Sequence, residues 1–300
     1  MTWLEAVKKS ISYIEEHLTD ELTIEQIANE VYISPFYFQK GFAILCEITV
    51  SEYIRNRRLS LAGRDLRIDG SKVIDVAMKY GYDSPDSFAK AFTRFHGISP
   101  VQAKNGEGEL KNFLPLKVQI SMKGGFEMDC KIIKKPEFTI VGSAKMFGEN
   151  EGFTECPKMW DEHFASGDGK YVCGMYGFCL DDMGDKTIME LTKDKQSKDK
   201  LPKFMYMIAD DYVPSKTYPE KFITYEVPAN TWAVFPCKGP MPSSMQSVYQ
   251  KIFKEWLPEN TDYELAGMYN IEYYTDSSKY EKGNQDEEYY SELWFPVKAR

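Results

Sequence analysis

The sequence contains one nine-residue motif twice, as SPFYFQKGF at residues 34–42 and as SPDSFAKAF at residues 84–92. In each copy Ser is a good helix N-cap, and Pro suits the first helical position, where its missing N–H costs no hydrogen bond. The two Phe residues of each copy are four positions apart, so they share the inward face of a short helix. The repeat therefore predicts two equivalent helices, each begun by Ser-Pro.

The surrounding residues predict a helix-turn-helix around each copy. An amphipathic helix over 4–18 and a second helix over 22–31 precede the first motif, and YGYD at 80–83 supplies a turn before the second. A long helix, SEYIRNRRLSLAGRDLR at 51–67, connects the two units. Two such units on one helix can enter successive turns of the DNA major groove.

The alternative is that these helices form only an all-α scaffold, because a single helical hairpin with a Gly turn is common in helical cores. Two copies in register favour DNA binding. We expect the outward side of the first helix to carry Phe36, Tyr37, Gln39 and Lys40. Phe36 and Tyr37, adjacent and exposed, suit apolar contact with thymine methyl groups or sugar.

Composition limits the possible partners. The chain has 300 residues, enough for two domains, and a net charge of −9. Its first 104 residues are nearly neutral, with 13 Lys and Arg against 14 Asp and Glu, so the acid lies mainly in the rest. DNA binding must therefore rest on locally placed cations and should depend only modestly on salt.

The six cysteines are scattered without a C-x-x-C pair. We expect reduced thiols rather than a disulfide framework or a zinc site, and no metal or cofactor. The N-terminus does not resemble a signal peptide, and no apolar run reaches the roughly 20 residues that span a bilayer. These features predict a cytoplasmic protein without a membrane partner.

A second repeat occupies the rest of the chain, beyond the Gly- and Asn-rich stretch at 105–117. Each half has a strand, Pro, a second strand, a helix bearing Trp, and two further strands, used once over 133–209 and once over 225–298. The fold class is therefore α+β: an all-α double helix-turn-helix followed by a duplicated strand-helix-strand-strand domain. We expect one antiparallel sheet with both helices on one face and a cleft between the halves.

The last strand suggests what this cleft binds. Tyr290, Glu292 and Trp294 alternate, so they share one face of the strand. A carboxylate between two aromatic side chains suits a lipophilic cation, by cation–π attraction and charge neutralisation. The residues alone support equally well a second interpretation, in which Glu292 points to solvent at a sheet edge.

Residues 7–104 resemble the AraC/XylS-type DNA-binding domain, on IANEVYISPFYFQKGF, EYIRNRRLSLA and VIDVAMKYGYDSPDSFAKAFTRFHGISP. The resemblance implies binding to double-stranded DNA, and we expect RNA polymerase as a further partner of a regulator of this kind. It assigns base contacts to Phe36, Gln39 and Lys40 in the first helix and to Ser87 and Lys90 in the second, with Asp86 at its edge, and phosphate contacts to Arg55 and Arg94. Glu47 departs from the family, which usually has Gly there.

Residues 126–300 resemble the GyrI-like effector-binding domain of multidrug-sensing regulators, on YEVPANTWAVFPCKGPMPSSMQSVYQKIFKEWLP and YYSELWFPVK. The resemblance implies a small-molecule effector with Glu292 as its counter-charge, and the residues of the last strand lead us to expect that this effector is a lipophilic cation. The aromatic walls that it implies are Trp160, Tyr176, Trp232, Tyr273 and Trp294. The expected organisation is a DNA-binding domain over 1–108, a linker over 109–125 and the effector-binding domain over 126–300.

Two other functions stay open from the sequence: a GyrI-like small-molecule hydrolase, or a drug-sequestering protein, fused to a DNA-binding domain. A hydrolase would need Glu292 or Glu272 as a lone general base. The three histidines form no Ser/His/Asp or metal-spaced pattern, and His163 is expected near the surface. We therefore expect a ligand-responsive transcription regulator that is not an enzyme.

Overall fold

The computed structural model describes residues 2–68, 71–117, 128–148, 151–181 and 203–300. The chain divides into two compact units, Met1–Gly124 and Gly125–Arg300. Of the linker expected over 109–125, residues 118–125 lie outside the described part. None of the described helices is long and apolar enough to cross a membrane.

The N-terminal unit is helical. Its elements are α1 (Trp3–Glu16), α2 (Ile24–Glu30), α3 (Pro35–Cys46), α4 (Val50–Ile68), α5 (Val73–Lys79), α6 (Pro85–His96) and α7 (Pro100–Lys104). The Ser-Pro prediction is confirmed, because Ser34 and Ser84 each cap their helix through the side chain and Pro follows at the first position. Thr23 likewise caps α2, in a capping box with Gln26.

The two helix-turn-helix units, α2–α3 and α5–α6, have matching backbones. In the turns, Tyr32 and Gly81 both adopt positive φ, at 56° and 78°. At the C-caps of α3 and α6, Glu47 and Gly97 both adopt the left-handed conformation, so Glu47 ends its helix as the family's usual Gly would. The inward Phe pairs of both motifs are fully buried.

The C-terminal unit is an antiparallel sheet. Its strands are β1 (Lys131–Lys135), β2 (Phe138–Gly148), β3 (Tyr176–Asp181), β4 (Lys203–Asp211), β5 (Ile223–Val227), β6 (Asn230–Lys238), β7 (Tyr263–Leu265), β8 (Tyr269–Tyr274) and β9 (Tyr290–Ala299). The order is β1-β6-β9-β8-β3-β4-β2-β5, with β7 beside β9. The strands of the two halves correspond as β1 to β5, β2 to β6, β3 to β8 and β4 to β9. Exchanging each strand for its counterpart gives the same order read from the other end. The sheet therefore has the pseudo-two-fold symmetry that the sequence repeat implies.

The halves exchange their first strands. β1 pairs with β6 of the second half, and β5 pairs with β2 of the first. Only residues 136–137 join β1 to β2, although these strands lie at opposite ends of the sheet. The three Cα–Cα steps from Lys135 to Phe138 span at most about 11 Å, so the sheet curves until its two ends approach each other.

Alternation along the strands gives the sheet two distinct faces. The aromatic face, on the inside of the curve, carries a buried cluster that includes Tyr176, Trp232 and Trp294. The helix face carries α8 (Gly152–Ala165) and α9 (Ser243–Lys251), the latter continued by a π-helical turn at Ile252–Trp256. On this face α8 hydrogen-bonds Tyr206, and α9 hydrogen-bonds Asn270 through Tyr249. Both helices therefore lie on one face, as expected.

The first of the two further strands expected in the first half of the repeat is β3, which begins only at Tyr176. Gly174 adopts positive φ. The Asp210 carboxylate accepts hydrogen bonds from the N–H groups of Cys173, Gly174 and Met175, at 2.7 to 2.9 Å. These backbone donors bind a side chain instead of a neighbouring strand, so the ladder starts after them.

Candidate DNA interface and effector site

The outward surface of α6 is polar and exposed. Asp86, Ser87, Lys90 and Arg94, all predicted DNA contacts, are exposed, and Thr93 lies beside them. The Ser87 hydroxyl donates to the backbone oxygen of Ser84 at 2.9 Å, so it is part of the helix start. Thr93 was missed, although its spacing of three residues from Lys90 places it on the same outward stripe.

The corresponding stripe of α3 is less exposed. Phe36 and Lys40 are half-buried, and the Lys40 ammonium lies 5.3 Å from the centre of the Phe36 ring. The expected exposure is wrong for Tyr37 and Gln39, whose exposed fractions are 1% and 6%. Each lies about 100° around the helix from Phe38, so they flank the buried face rather than oppose it. Their role as DNA contacts stays a prediction.

The connecting helix α4 carries the remaining predicted contact. Arg55 is exposed and lies 3.7 Å from Glu52, one turn earlier on the same helix. Such an exposed pair contributes little to stability, so Arg55 can exchange this partner for a phosphate at little energetic cost.

Four of the predicted effector residues come together on the aromatic face. The ring centres of Tyr273 and Trp294 are 5.7 Å apart and stacked, and Tyr176 and Trp232 contact Trp294 at 6.5 and 6.0 Å. Glu292 lies directly across from Tyr273 in the ladder. The sequence pattern therefore assembles a real aromatic cluster.

Glu292 and a lysine already have interaction partners within this cluster. The Tyr290 hydroxyl donates to one oxygen of Glu292 and the Trp294 indole donates to the other, both at 2.6 Å. The Lys135 ammonium lies 3.7 Å from the ring centre of Phe138, 4.8 Å from that of Trp294 and 5.6 Å from that of Tyr176. Burial lowers the pKa of Lys135. The sequence reading missed this internal cation.

The sixth predicted residue, Trp160, lies on the opposite face of the sheet. It projects from α8 and donates from its indole N–H to the Tyr206 hydroxyl at 2.9 Å. It also contacts Tyr274 edge-on at 5.0 Å. The structure therefore separates Trp160 from Glu292, and the six predicted residues do not form one site.

Trp160 instead belongs to a second carboxylate cluster, which we call the helix-face cluster: Trp160, Tyr206, Glu272 and Tyr274. The two phenols donate to Glu272 Oε2 at 2.6 and 2.7 Å. Within the described residues, the other oxygen, Oε1, accepts no hydrogen bond and Glu272 has no ion-pair partner. The sequence reading named Glu272 only as a base, because its partners come from a helix and a distant strand.

The helix-face cluster occupies the middle of the sheet. Glu272 pairs with Gly177 across the central strands β8 and β3, between the strands that α8 and α9 cover. A Cβ atom at Gly177 would lie 2.7 Å from Glu272 Oε2 and would also meet the Tyr206 hydroxyl. Glycine therefore leaves the space in which the carboxylate meets its donors. Burial raises the pKa of Tyr206 and of Tyr274 well above the usual value, so both stay protonated donors.

His163 is not at the surface as expected, because it is buried. Its Nε2 hydrogen-bonds the Val172 carbonyl at 2.8 Å, and its Nδ1 lies 3.3 Å from Ser143 Oγ. The ring thus joins α8 to β2 and to the loop before β3. In the part of the chain that the structure describes, no group of His, Cys, Asp and Glu is arranged to hold a metal ion, and the six cysteines are free.

Comparison with known proteins gives two family matches. Residues 131–297 match a family described as Cass2, integron-associated effector binding protein, and residues 27–106 match a helix-turn-helix domain. The transcriptional activator AarP of Providencia stuartii is 36% identical over 94 residues, 31% of this chain and 70% of AarP. The regulatory protein SoxS of Salmonella typhimurium is 35% identical over 100 residues, 33% of this chain and 94% of SoxS.

Among solved structures, SAV2435 bound to tetraphenylphosphonium has a TM-score of 0.45 and 16% identity, over 57% of this chain and 94% of that one. The effector-binding match alone covers more than half of the chain. The helical unit and AarP share identity over most of AarP's length. The chain therefore belongs to the Cass2 family of GyrI-like effector-binding proteins, and its AraC-type helix-turn-helix domain makes it a DNA-binding transcription regulator.

Proposed function

We propose that this regulator senses an apolar cation, which binds at the helix-face cluster. The observation that carries the proposal is Glu272 Oε1, a carboxylate oxygen without a hydrogen-bond donor among the described residues. Tyr206 and Tyr274 bind the other oxygen of this carboxylate, and Trp160 contacts both tyrosines. A partly buried carboxylate is costly to desolvate unless a cation neutralises it. Aromatic faces beside it add cation–π attraction.

The neighbours of Glu272 favour a bound cation over a catalytic role. No second carboxylate, nucleophile or histidine among the described residues hydrogen-bonds this cluster. The matched relatives AarP and SoxS are described as an activator and a regulatory protein.

The cluster around Glu292 is the second candidate for the effector site. Its aromatic rings already surround the Lys135 ammonium, so their arrangement suits a cation. An effector there must displace Lys135 and must also share Glu292 with two hydrogen-bond donors. At Glu272 no lysine has to leave, and both phenols donate to the same oxygen, so the other oxygen stays available to an effector. We therefore place the helix-face cluster first.

On the DNA side, we propose that Lys40 and Lys90 anchor the two recognition helices and that Asp86 and Ser87 read or position bases. Lys90 is exposed on the outward stripe of α6, and Lys40 holds the same position in α3. Arg55 and Arg94 would contact phosphates. Contact with RNA polymerase completes the proposal, since AarP is described as an activator.

Calorimetry on the full chain tests the sensing proposal. The probes are an aryl quaternary ammonium, benzyltriethylammonium, and its neutral carbon isostere, chosen after a thermal-shift screen of related compounds. We expect the cation to bind about tenfold or more tightly than the isostere, because only the cation gains the carboxylate and ring attraction. Equal affinity of the two probes would contradict the proposal.

A further inference from the structure

The segment after α7, residues 107–116, is packed against the DNA-binding unit although the sequence assigned most of it to a linker. We call this segment the strap. It has no regular secondary structure, and Leu110, Phe113 and Leu116 are half-buried while the residues between them are exposed. Every third side chain thus faces the helices, which is the spacing of an extended chain with three residues per turn.

Side chains of α4 and α6 bind the strap's backbone along its whole length. His96 Nδ1 accepts from the Lys111 N–H at 3.1 Å, Ser60 Oγ accepts from that of Phe113 at 3.0 Å, and Tyr53 accepts from that of Leu116 at 3.3 Å. Arg57, near the middle of α4, and Arg67, near its C-terminal end, donate to strap carbonyls. The strap therefore runs antiparallel to α4 and covers a polar stripe on it.

This stripe explains the buried polar residues of α4. Arg57 and Ser60 are buried, and Arg57 also forms an ion pair of 2.6 Å with Glu15 of α1. Buried polar groups need partners, and the strap supplies the Phe113 carbonyl and N–H to these two. Detaching the strap would leave these groups and His96 with fewer partners.

The strap also contacts both recognition helices through one intermediate each. At one end Phe113 packs edge-on against Tyr53 at 6.0 Å, and Tyr53 contacts Phe42 of α3 at 5.9 Å. At the other end the strap binds His96, the last residue of α6, whose ring is 4.2 Å from that of Phe92. These contacts connect α3 to α6 through Tyr53 of α4, the strap and His96.

Close packing around Gly63 also holds the strap against His96. A Cβ atom at Gly63 would lie 2.8 Å from His96 Nε2 and 3.1 Å from Leu110 Cδ2, so glycine makes room for both. His96 Nε2 hydrogen-bonds the Leu59 carbonyl at 2.9 Å while Nδ1 accepts from the strap, which requires a neutral ring. The charged groups facing the ring are Arg67 of α4 and Lys111 of the strap, and both are cations.

We propose that the strap is a positioning element for DNA binding and fixes the spacing of the two recognition helices. It acts on α3 through Tyr53 of α4, and it acts on α6 through His96, the last residue of that helix. Recognition helices that enter successive turns of the groove must keep a fixed separation. A loosened strap would let the helices accept altered spacings. This inference does not depend on the effector site.

The test compares Phe113→Ala with Leu114→Ala in the full chain. Leu114 is the neighbouring strap residue and is 65% exposed, so it is a matched control. The DNA is a duplex selected by the wild-type chain from a randomised pool, with and without one base pair inserted between the two contacted segments. We expect Phe113→Ala to reduce the discrimination between the duplexes about tenfold and Leu114→Ala to preserve it. Unchanged discrimination in Phe113→Ala would overturn the proposal.

Amide hydrogen exchange tests the docking itself, independently of DNA. The N–H groups of Lys111, Phe113 and Leu116 should exchange slowly in the wild type, because side chains bind them, whereas that of Leu114 should exchange fast. In Phe113→Ala the protection at Lys111 and Leu116 should fall. Fast exchange at all four positions in the wild type would also overturn the proposal.

Discussion

Replacing Glu272 with Gln removes the charge from the helix-face cluster while it keeps the size of the side chain and one acceptor oxygen for the phenols. An effector cation about 5 Å from the carboxylate would gain about 3 kcal/mol at an effective dielectric constant of about 20. Part of this attraction energy is offset by the cost of removing water from the cation and from the carboxylate. We therefore expect Glu272→Gln to weaken the cation by about 1.5–3 kcal/mol, or about 10- to 100-fold.

The neutral isostere should change by less than about twofold, because it has no charge for Glu272 to attract. The assay is calorimetry of both probes on three chains: the wild type, Glu272→Gln and Glu292→Gln. Glu292→Gln is the matched control, since it makes the same substitution beside aromatic donors on the other face. Equal losses for both probes would refute the charge role of Glu272. A cation-specific loss only in Glu292→Gln would move the site to the aromatic face.

Three further predictions concern the DNA-binding unit. Lys40→Ala combined with Lys90→Ala should weaken DNA binding by about 2–4 kcal/mol and lower the salt slope by about two; a gel-shift titration that shows wild-type affinity would exclude both contacts. Tyr32→Gly should raise the free energy of unfolding, measured by urea denaturation, by about 0.5–1 kcal/mol. Tyr32 is 89% exposed and adopts a left-handed conformation, which the second unit gives to Gly81. Tyr32→Ala keeps the backbone strain and should not raise this free energy. Burial lowers the pKa of His96, so this residue takes up a proton at a higher pH in the unfolded chain than in the folded one. The free energy of unfolding should therefore fall as the pH drops below about 6.5. His96→Gln should lack this part of the pH dependence.

The helical unit was largely predictable because its signals are local. Ser34 and Ser84 cap helices whichever way the chain folds later, and the Phe pairs four residues apart can only point to one side. The same local pattern did not fix the width of the buried face. Tyr37 and Gln39 were expected outside, but they flank Phe38 closely enough to be buried. The packing of the strap could not be predicted, because its partners Arg57 and His96 are distant from it in sequence.

The effector-binding unit was predictable as a repeat but not as a site. Alternation in the last strand correctly placed Glu292 and Trp294 on one face, because strand alternation is local. The strand exchange between the halves is a long-range pairing, and no local pattern encodes it. Glu272 meets Tyr206 only through the pairing of three strands, and Trp160 reaches Tyr206 only through the docking of α8. The single site predicted from the sequence is therefore divided between the two faces of the sheet.

A single measurement tests directly whether one chain both senses a cation and binds DNA: the affinity of the full chain for its selected duplex, with and without a saturating amount of the cation probe. An effector that distinguishes two states of the regulator typically changes affinity by about fivefold or more. We expect a change of this size in the wild type, and none with the neutral isostere or in Glu272→Gln. A duplex affinity that stays the same when the cation is bound would contradict the proposed ligand-responsive function.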